Sequence, residues 1–299
     1  MTDADPQRVA CMQALLADIG QRLASGELAA SEAVCLAVEC MENEPLYNAG
    51  RGSVLDAEGN ISMDASIMRG HDQAAGSVVG LQSSRHPVRA AERLMENGWP
   101  VMLAGPAGDV FAAENGVEQV ERAWLETQLR RAQWDKWRRE RLRPGATDEE
   151  DALLDHDAEH DGWGTVGAVA LDANGNLAAA TSTGGMTGKP PGRVGDTPII
   201  GAGTWADRNI AVSCTGVGEA FIRTAAAHAV ASFHQDRSLE AAAEAMLDLV
   251  EPLGGRGGVI AVNRKGEVVM PFRTMLMYRG WYRDGTVDVG IGPSFLQST

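Results

Sequence analysis

Apolar and polar positions along this chain follow two different periods, and the changes between them mark out its elements. From 7 to 24 the period is helical, with Met12, Leu15, Leu16, Ile19 and Leu23 on one side. Gly26 ends that run. Ser31 is expected to cap a second helix through about residue 42. A turn-rich loop, Glu44 to Gly52, follows. Alternating runs then predict strands at 54–56, 61–68 and 76–81, with Glu58-Gly59-Asn60 as a turn. Helical runs at 88–97 and 106–115 flank a short buried strand at 101–104. A longer helical stretch covers 118–142 and carries Trp124, Trp134 and Trp137 as packing anchors. Past the middle of the chain, 198–202 and 210–214 read as a strand pair. Helices are expected at about 220–233 and, capped by Ser238, up to 250. A hairpin spans 257–262 and 267–270 around Lys265-Gly266, and the tail from Trp281 is weakly patterned. Strands in two groups with helices around both predict two packed sheets covered by helices, an α+β sandwich.

The sharpest pattern is GWGTVGAVALDANGNLAAATSTGGMTGKPPGRVGD, residues 162–196. Two apolar runs, 166–171 and 177–180, flank Ala173-Asn174-Gly175. A three-residue loop with Gly175 left-handed pairs Asp172 with Asn176, and counting back pairs Thr165 with Thr183 on one face. A two-residue loop would pair Thr165 with Gly184 instead. The sequence Asp-Ala-Asn-Gly fits a type I turn with a bulge and favours the first register. An ordinary hairpin with surface threonines has the same pattern.

Composition narrows the function classes. The chain has 299 residues and a formal net charge of −15. That balance argues against nucleic acid and anionic membranes as partners. No apolar run is long enough to span a bilayer, and the polar start MTDADPQRVACMQ reads as no signal peptide. A cytoplasmic protein is expected. Cys11, Cys35, Cys40 and Cys214 form no CxxC pair and read as free thiols. Charge shifts from basic at Arg130, Arg131, Lys136, Arg138 and Arg139 to almost wholly acidic at 148–161. That acidic stretch, with Arg143-Pro144-Gly145 before it, reads as an exposed linker of about 143–164. His156, Asp157, His160 and Asp161 are better read as part of it than as metal ligands.

A linker that ends at Gly164-Thr165, at the mouth of a buried strand, invites cleavage there. A threonine hydroxyl is a poor nucleophile without a base. As an N-terminal residue, Thr165 would carry its own base in its α-amine. Gly164 tolerates the geometry that a scissile bond needs. Arg193 and Asp196 can hold the carboxylate and ammonium of an amino acid, or form a local salt bridge. Thr215-Gly216, where a strand meets a helix, can face an oxyanion or be an ordinary turn. Asn48 can donate from its amide or simply form a turn. The Gly216-Val217-Gly218 run lacks the third glycine of a dinucleotide fingerprint.

With GTVGAVA at 164–170, TSTGGMT, PGRVGD and SCTGVGE after it, PLYNAG at 45–50 and GGRGGVIAV at 254–262, the chain resembles the plant-type L-asparaginase / isoaspartyl peptidase family of N-terminal nucleophile hydrolases. The resemblance implies a four-layer αββα sandwich. It implies one precursor cut into an α subunit, 1–164, and a β subunit, 165–299, that assemble as a dimer of α/β heterodimers. It implies Thr165 as nucleophile supported by Thr183 and Thr215, and Arg193 and Asp196 on the substrate carboxylate and amine. Asn48, Thr215 and Gly216 would lie at the oxyanion site and Gly218 in the substrate loop. The substrates implied are β-aspartyl dipeptides and L-asparagine. No cofactor is implied for catalysis. A structural sodium ion would be held by backbone carbonyls at Met41, Glu42, Glu44, Tyr47, Ala49 and Arg51.

Two departures bear on these expectations. Family members usually begin with a strand ending in a His-Gly-Gly-Ala type turn, whereas this sequence opens on its first helix, so an open sheet edge is expected. The segment 272–277 also differs from the family's usual version. A non-catalytic paralogue and a glycosylasparaginase-like enzyme are the alternatives.

Overall fold

The computed structural model describes residues 5–141, 164–293 and 295–296. The linker and the candidate ligands at 156–161 lie outside them. Helix α1 (Asp5–Ala24) ends at Gly26, whose φ of +78° suits glycine. Helix α2 (Ala30–Asn43) starts earlier than Ser31 would place it. The Ala29 N–H donates to the Glu32 carboxylate at 2.8 Å, and the Ala30 N–H to Asp172 Oδ2 at 3.2 Å. A carboxylate arriving from the distant hairpin thus meets one of the helix's orphan donors, a role expected of the local serine.

Strands β1 (Met63–Arg69) and β2 (Ala75–Leu81) are antiparallel neighbours. Residues 54–56 form no strand beyond one bridge, Leu55 with Ile61, because the Asp56 carboxylate takes the N–H groups of Glu58 and Asn60 and closes a turn. Helix α3 (Pro87–Asn97) and strand β3 (Met102–Ala104) follow. β3 is not the buried strand expected. It is an outer strand, parallel to β2, with Met102 43% exposed.

After helix α4 (Pro106–Glu114), the long helix expected at 118–142 is two pieces, α5 (Arg122–Leu125) and α6 (Gln128–Arg141). The Leu125 carbonyl accepts the Gly52 N–H at 2.9 Å, and Thr127 Oγ1 accepts from the Arg130 N–H at the start of α6. Trp134 is buried and donates to the Asp56 carbonyl at 2.7 Å. Trp137 lies against Gly188, where a Cβ would fall 2.0 Å from its ring.

Strands β4 (Val166–Leu171) and β5 (Leu177–Thr183) adopt the three-residue-loop register. Asp172 pairs with Asn176, and Gly175 has φ +80°. The five-stranded sheet has the order β3-β2-β1-β5-β4, so β4 is an edge strand.

A second sheet, β6-β7-β8-β9, comprises β6 (Thr204–Ala206), β7 (Ile210–Gly216), β8 (Gly257–Asn263) and β9 (Val268–Val269). The partner of β7 is β6 and not 198–202, which is consumed by turns such as Ile199 N–H to Asp196 O. The expected helix at 220–233 is broken by a left-handed Ala225 into α7 (Gly218–Thr224) and α8 (Ala226–Phe233). Helix α9 (Leu239–Val250) is capped by Ser238 Oγ as expected. The tail is a third sheet of β10 (Arg279–Arg283), β11 (Thr286–Gly290) and β12 (Phe295–Leu296).

Helices α2 and α3 pack on the first sheet, β4 and β5 pack on the second, and α8 and α9 contact β7 and β8. The fold is mixed α+β. β5 is buried along its whole length, and its Ala178-Ala179-Ala180 core lets neighbouring layers come close. Between the sheets lies a dry hydroxyl seam. Thr181 Oγ1 bonds Thr204 Oγ1 and Ser213 Oγ, and Ser66 Oγ bonds Thr204 Oγ1 and the Thr197 carbonyl.

Candidate active site

Thr165 stands one residue ahead of β4, half-buried, with Oγ1 3.4 Å from Thr183 Oγ1. One step beyond the pair Val166–Ser182, these two residues face each other across the strands. Thr183 is buried and its Oγ1 accepts the Gly185 N–H at 3.0 Å. Gly164 has φ +139°, a conformation that side chains other than glycine resist, and a Cβ there would meet nothing within 4 Å. Its requirement is therefore for backbone freedom and not for space.

Thr215 and Gly216, at the end of β7, line the same cavity as Gly164 and Thr165. A Cβ on Gly216 would fall 2.3 Å from the Arg256 carbonyl, so the crossing of β7 and β8 admits only glycine. Asn48 is buried and braces the loop after Thr183. Its Nδ2 donates to the Gly185 carbonyl at 2.7 Å, its own carbonyl accepts the Gly184 N–H at 2.9 Å, and its Oδ1 accepts the Val54 N–H. The bond to Gly185 uses one of the two amide hydrogens.

Arg193, Asp196 and Gly218 form a second group. Arg193 does not pair locally with Asp196. Its guanidinium grips Glu219 bidentately, with both contacts at 2.8 Å. Asp196 is buried, its Oδ2 has no hydrogen-bond partner, and burial pushes its pKa up to about 7 against the pull of Arg193. Gly218 opens α7 directly against it, since a Cβ there would fall 3.0 Å from Asp196 Oδ1.

Three residues that sequence reasoning passed over join the groups. Asp64 on β1 is the cross-strand partner of Thr183, so Thr165, Thr183 and Asp64 form one row across the sheet. Its buried carboxyl accepts the Gly80 N–H at 2.8 Å while Oδ2 has no partner. Burial raises its pKa, and Lys189, the Gly80 N–H and Arg193 oppose that. Lys189 is 4% exposed, donates to the Ser62 carbonyl at 2.7 Å, and lies against Gly185. Burial lowers its pKa and Asp64 counteracts. Glu219 stands in the SCTGVGE run but carried no expectation. Nothing in the pattern marks a lysine between Gly188 and Pro190 as buried, or an aspartate in a strand as facing Thr183.

The 41–51 segment coils tightly. Met41, Glu42 and Glu44 carbonyls accept N–H groups of Glu44, Arg51 and Tyr47. A Cβ on Gly52 would fall 2.6 Å from Pro45 O and 2.7 Å from Tyr47 O, so these two oxygens converge. Such a cradle fits a hard cation bound by carbonyl oxygens. Among the described residues no cluster of His, Cys, Asp and Glu suits a metal ion, and no helix is long and apolar enough to cross a membrane.

A hydroxyl pair at the head of a buried strand, beside glycine-lined backbone and a buried acid, defines the class of threonine-based hydrolase sites. The comparisons give the family. A family model described as Asparaginase matches residues 2–291, and the chain belongs to the plant-type asparaginase family. The isoaspartyl peptidase of Escherichia coli K12 is 43% identical over 285 residues, covering 92% of this chain and 86% of that protein. The isoaspartyl peptidase of Salmonella typhimurium LT2 is 41% identical, covering 95% and 92%. The isoaspartyl peptidase/L-asparaginase of Mus musculus is 41% identical, covering 91% and 81%.

Proposed function

We propose that this protein is an isoaspartyl peptidase / L-asparaginase, a self-cleaving threonine amidohydrolase that releases L-aspartate from β-aspartyl dipeptides and L-asparagine. The observation that carries this reading is the 3.4 Å approach of Thr165 Oγ1 to Thr183 Oγ1 at the mouth of β4. The names of the relatives, which cover most of the chain, support the substrate class.

In this reading the Gly164–Thr165 bond breaks first, giving subunits 1–164 and 165–299 and freeing the Thr165 amine. That amine takes the Oγ1 proton as Oγ1 attacks the side-chain carbonyl of the substrate. Thr183 orients Oγ1. Thr215 and the Gly216 backbone face the oxyanion, with Asn48 holding the Gly184-Gly185 loop in place. The amine then protonates the leaving nitrogen, and an aspartyl ester remains on Thr165. Water hydrolyses it, releasing aspartate and returning the proton to Oγ1. Arg193 holds the substrate α-carboxylate and Asp196 its ammonium, with Gly218 keeping the space between them open.

The same reading takes the two main sheets and their covering helices as the four-layer αββα sandwich of N-terminal nucleophile hydrolases, built as one hydrolase domain. It takes the assembly as a dimer of α/β heterodimers and the location as cytoplasmic. A sodium ion at the 41–52 coil would be structural, held by the Tyr47 carbonyl and its neighbours, and catalysis would use no cofactor.

The test is intact mass after incubation at neutral pH, followed by an aspartate-release assay. Wild type is expected to divide between Gly164 and Thr165 and to release aspartate from a β-aspartyl dipeptide. Thr165→Ala is expected to stay full-length and inactive. A Thr165→Ala protein that is cut and active would sink the reading.

A further inference from the structure

A cavity of about 1150 Å³ runs the whole length of β4. Its two side walls are β4 and β10, and each is a sheet edge, since among the described residues β4 pairs only with β5 and β10 only with β11. Both present backbone N–H and C=O groups that need partners. The roof is the apolar side of α1, including Leu16 and Ile19, continued by α2. The floor is β8 and β9 of the second sheet, including Ile260 and Val262. An occupant that satisfies all four walls has hydrogen-bonding groups on its two sides and apolar groups above and below. A β-strand that is apolar on both faces has this distribution.

The walls also fix its direction. The first turn of α1 lies at the Thr165 end, where Arg8 donates to the Leu46 carbonyl and accepts from Tyr47 Oη, beside Asn48 and the Gly184 loop. The helix finishes at the other end, where Ala30 N–H meets Asp172. β10 runs the same way, from Tyr278 beside Arg8 to Tyr282 beside Gly20. A strand that leads into α1 therefore finishes at the Thr165 end and runs antiparallel to both β4 and β10, the pairing that needs no crossover to satisfy either edge.

We propose that this slot seats an apolar β-strand joined ahead of α1, which fuses the β3-β2-β1-β5-β4 and β10-β11-β12 sheets into one. The proposal concerns the fold beside Thr165 and does not rest on the reaction proposed above.

The test uses the full chain with an N-terminal extension of about six valine and isoleucine residues, which spans the ~20 Å of a strand like β4, followed by a glycine-containing turn. A control extension carries proline at alternate positions and cannot donate to the ladder. Amide hydrogen exchange is read residue by residue. In the unextended chain, the alternate β4 amides not bonded to β5 are expected to exchange much faster than their neighbours. The apolar extension is expected to slow those amides, and their counterparts in β10, by about tenfold or more, and to raise Tm by about 4 °C or more. The proline control is expected to do neither. The proposal is overturned by uniformly slow exchange along β4 in the unextended chain, by an extension that leaves β4 and β10 unprotected, or by equal protection from the proline control. The unextended chain decides the matter even where the extension spoils folding.

Discussion

The buried acid at the second group makes a quantitative prediction about pH. Asp196 is 3% exposed, and burial holds its pKa at about 7, against ~3.9 in an unfolded chain. A carboxyl whose folded pKa is raised binds its proton more tightly when folded. Between about pH 4 and about pH 7 the folded state therefore holds more protons than the unfolded state, and stability falls as pH rises through that window. A shift of about three units corresponds to at most about 4 kcal/mol, and local relaxation and water entry reduce it. About 2 kcal/mol lost between about pH 5 and pH 7 is the expected size for this one group. Asp196→Asn keeps the shape and removes the titration, so it is expected to flatten the profile. The assay is urea unfolding of both proteins at about pH 5, 6, 7 and 8, carried in a Thr165→Ala background so that the chain stays single and unfolding can be treated as two-state. Parallel stability profiles for the two proteins would refute the reasoning. The same protonation governs ligand binding. An ammonium against Asp196 favours the carboxylate, so KM for an α-amino substrate is expected to fall about tenfold per pH unit up to about pH 7 and then level off.

Three further substitutions probe other joints. Gly167→Ala places a Cβ 2.1 Å from Ser213 Oγ and is expected to cost about 1–3 kcal/mol by urea unfolding, with Ser213→Ala recovering part of it. Arg193→Lys keeps the charge but loses the paired contact with Glu219; KM for aspartyl substrates is expected to rise about 10- to 100-fold with a smaller change in kcat, and an unchanged KM contradicts the assignment. Lys189→Met leaves the Asp64 carboxyl buried without its nearby cation. A loss of about 3–5 kcal/mol is expected, and Asp64→Asn in the same chain should restore much of it if the two charges are coupled.

Much of this architecture was legible because it is local. The register that brings Thr165 to Thr183 follows from one turn, Asp172 to Asn176, and the structure keeps it. Misreadings fell where a distant group overrode a local signal. Asp172 caps α2 in place of Ser31, and Gly52 captures the Leu125 carbonyl where a continuous helix was expected. β10 and β11 escaped notice because their alternation is blurred by half-buried positions such as Trp281, Tyr282 and Asp288. The pairing of Arg193 with Glu219 and the row from Thr183 to Asp64 depend on which elements meet, and residue spacing carries no trace of that.

The order of strands in the first sheet has a consequence for biosynthesis. β1 comes before residue 165 and β5 after it, yet they lie side by side from Asp64–Thr183 to Arg69–Ala178. On the ribosome β1 and β2 emerge long before the strand that completes them, and must wait with one edge uncovered. Once β5 arrives, the early and late parts of the chain share a ladder of hydrogen bonds through the middle of the sheet. A cut at Thr165 then removes only a tether, because the two pieces are already woven together. Expressed apart, each would lack the other's strands, so the order of events is fixed: fold first, sever afterwards.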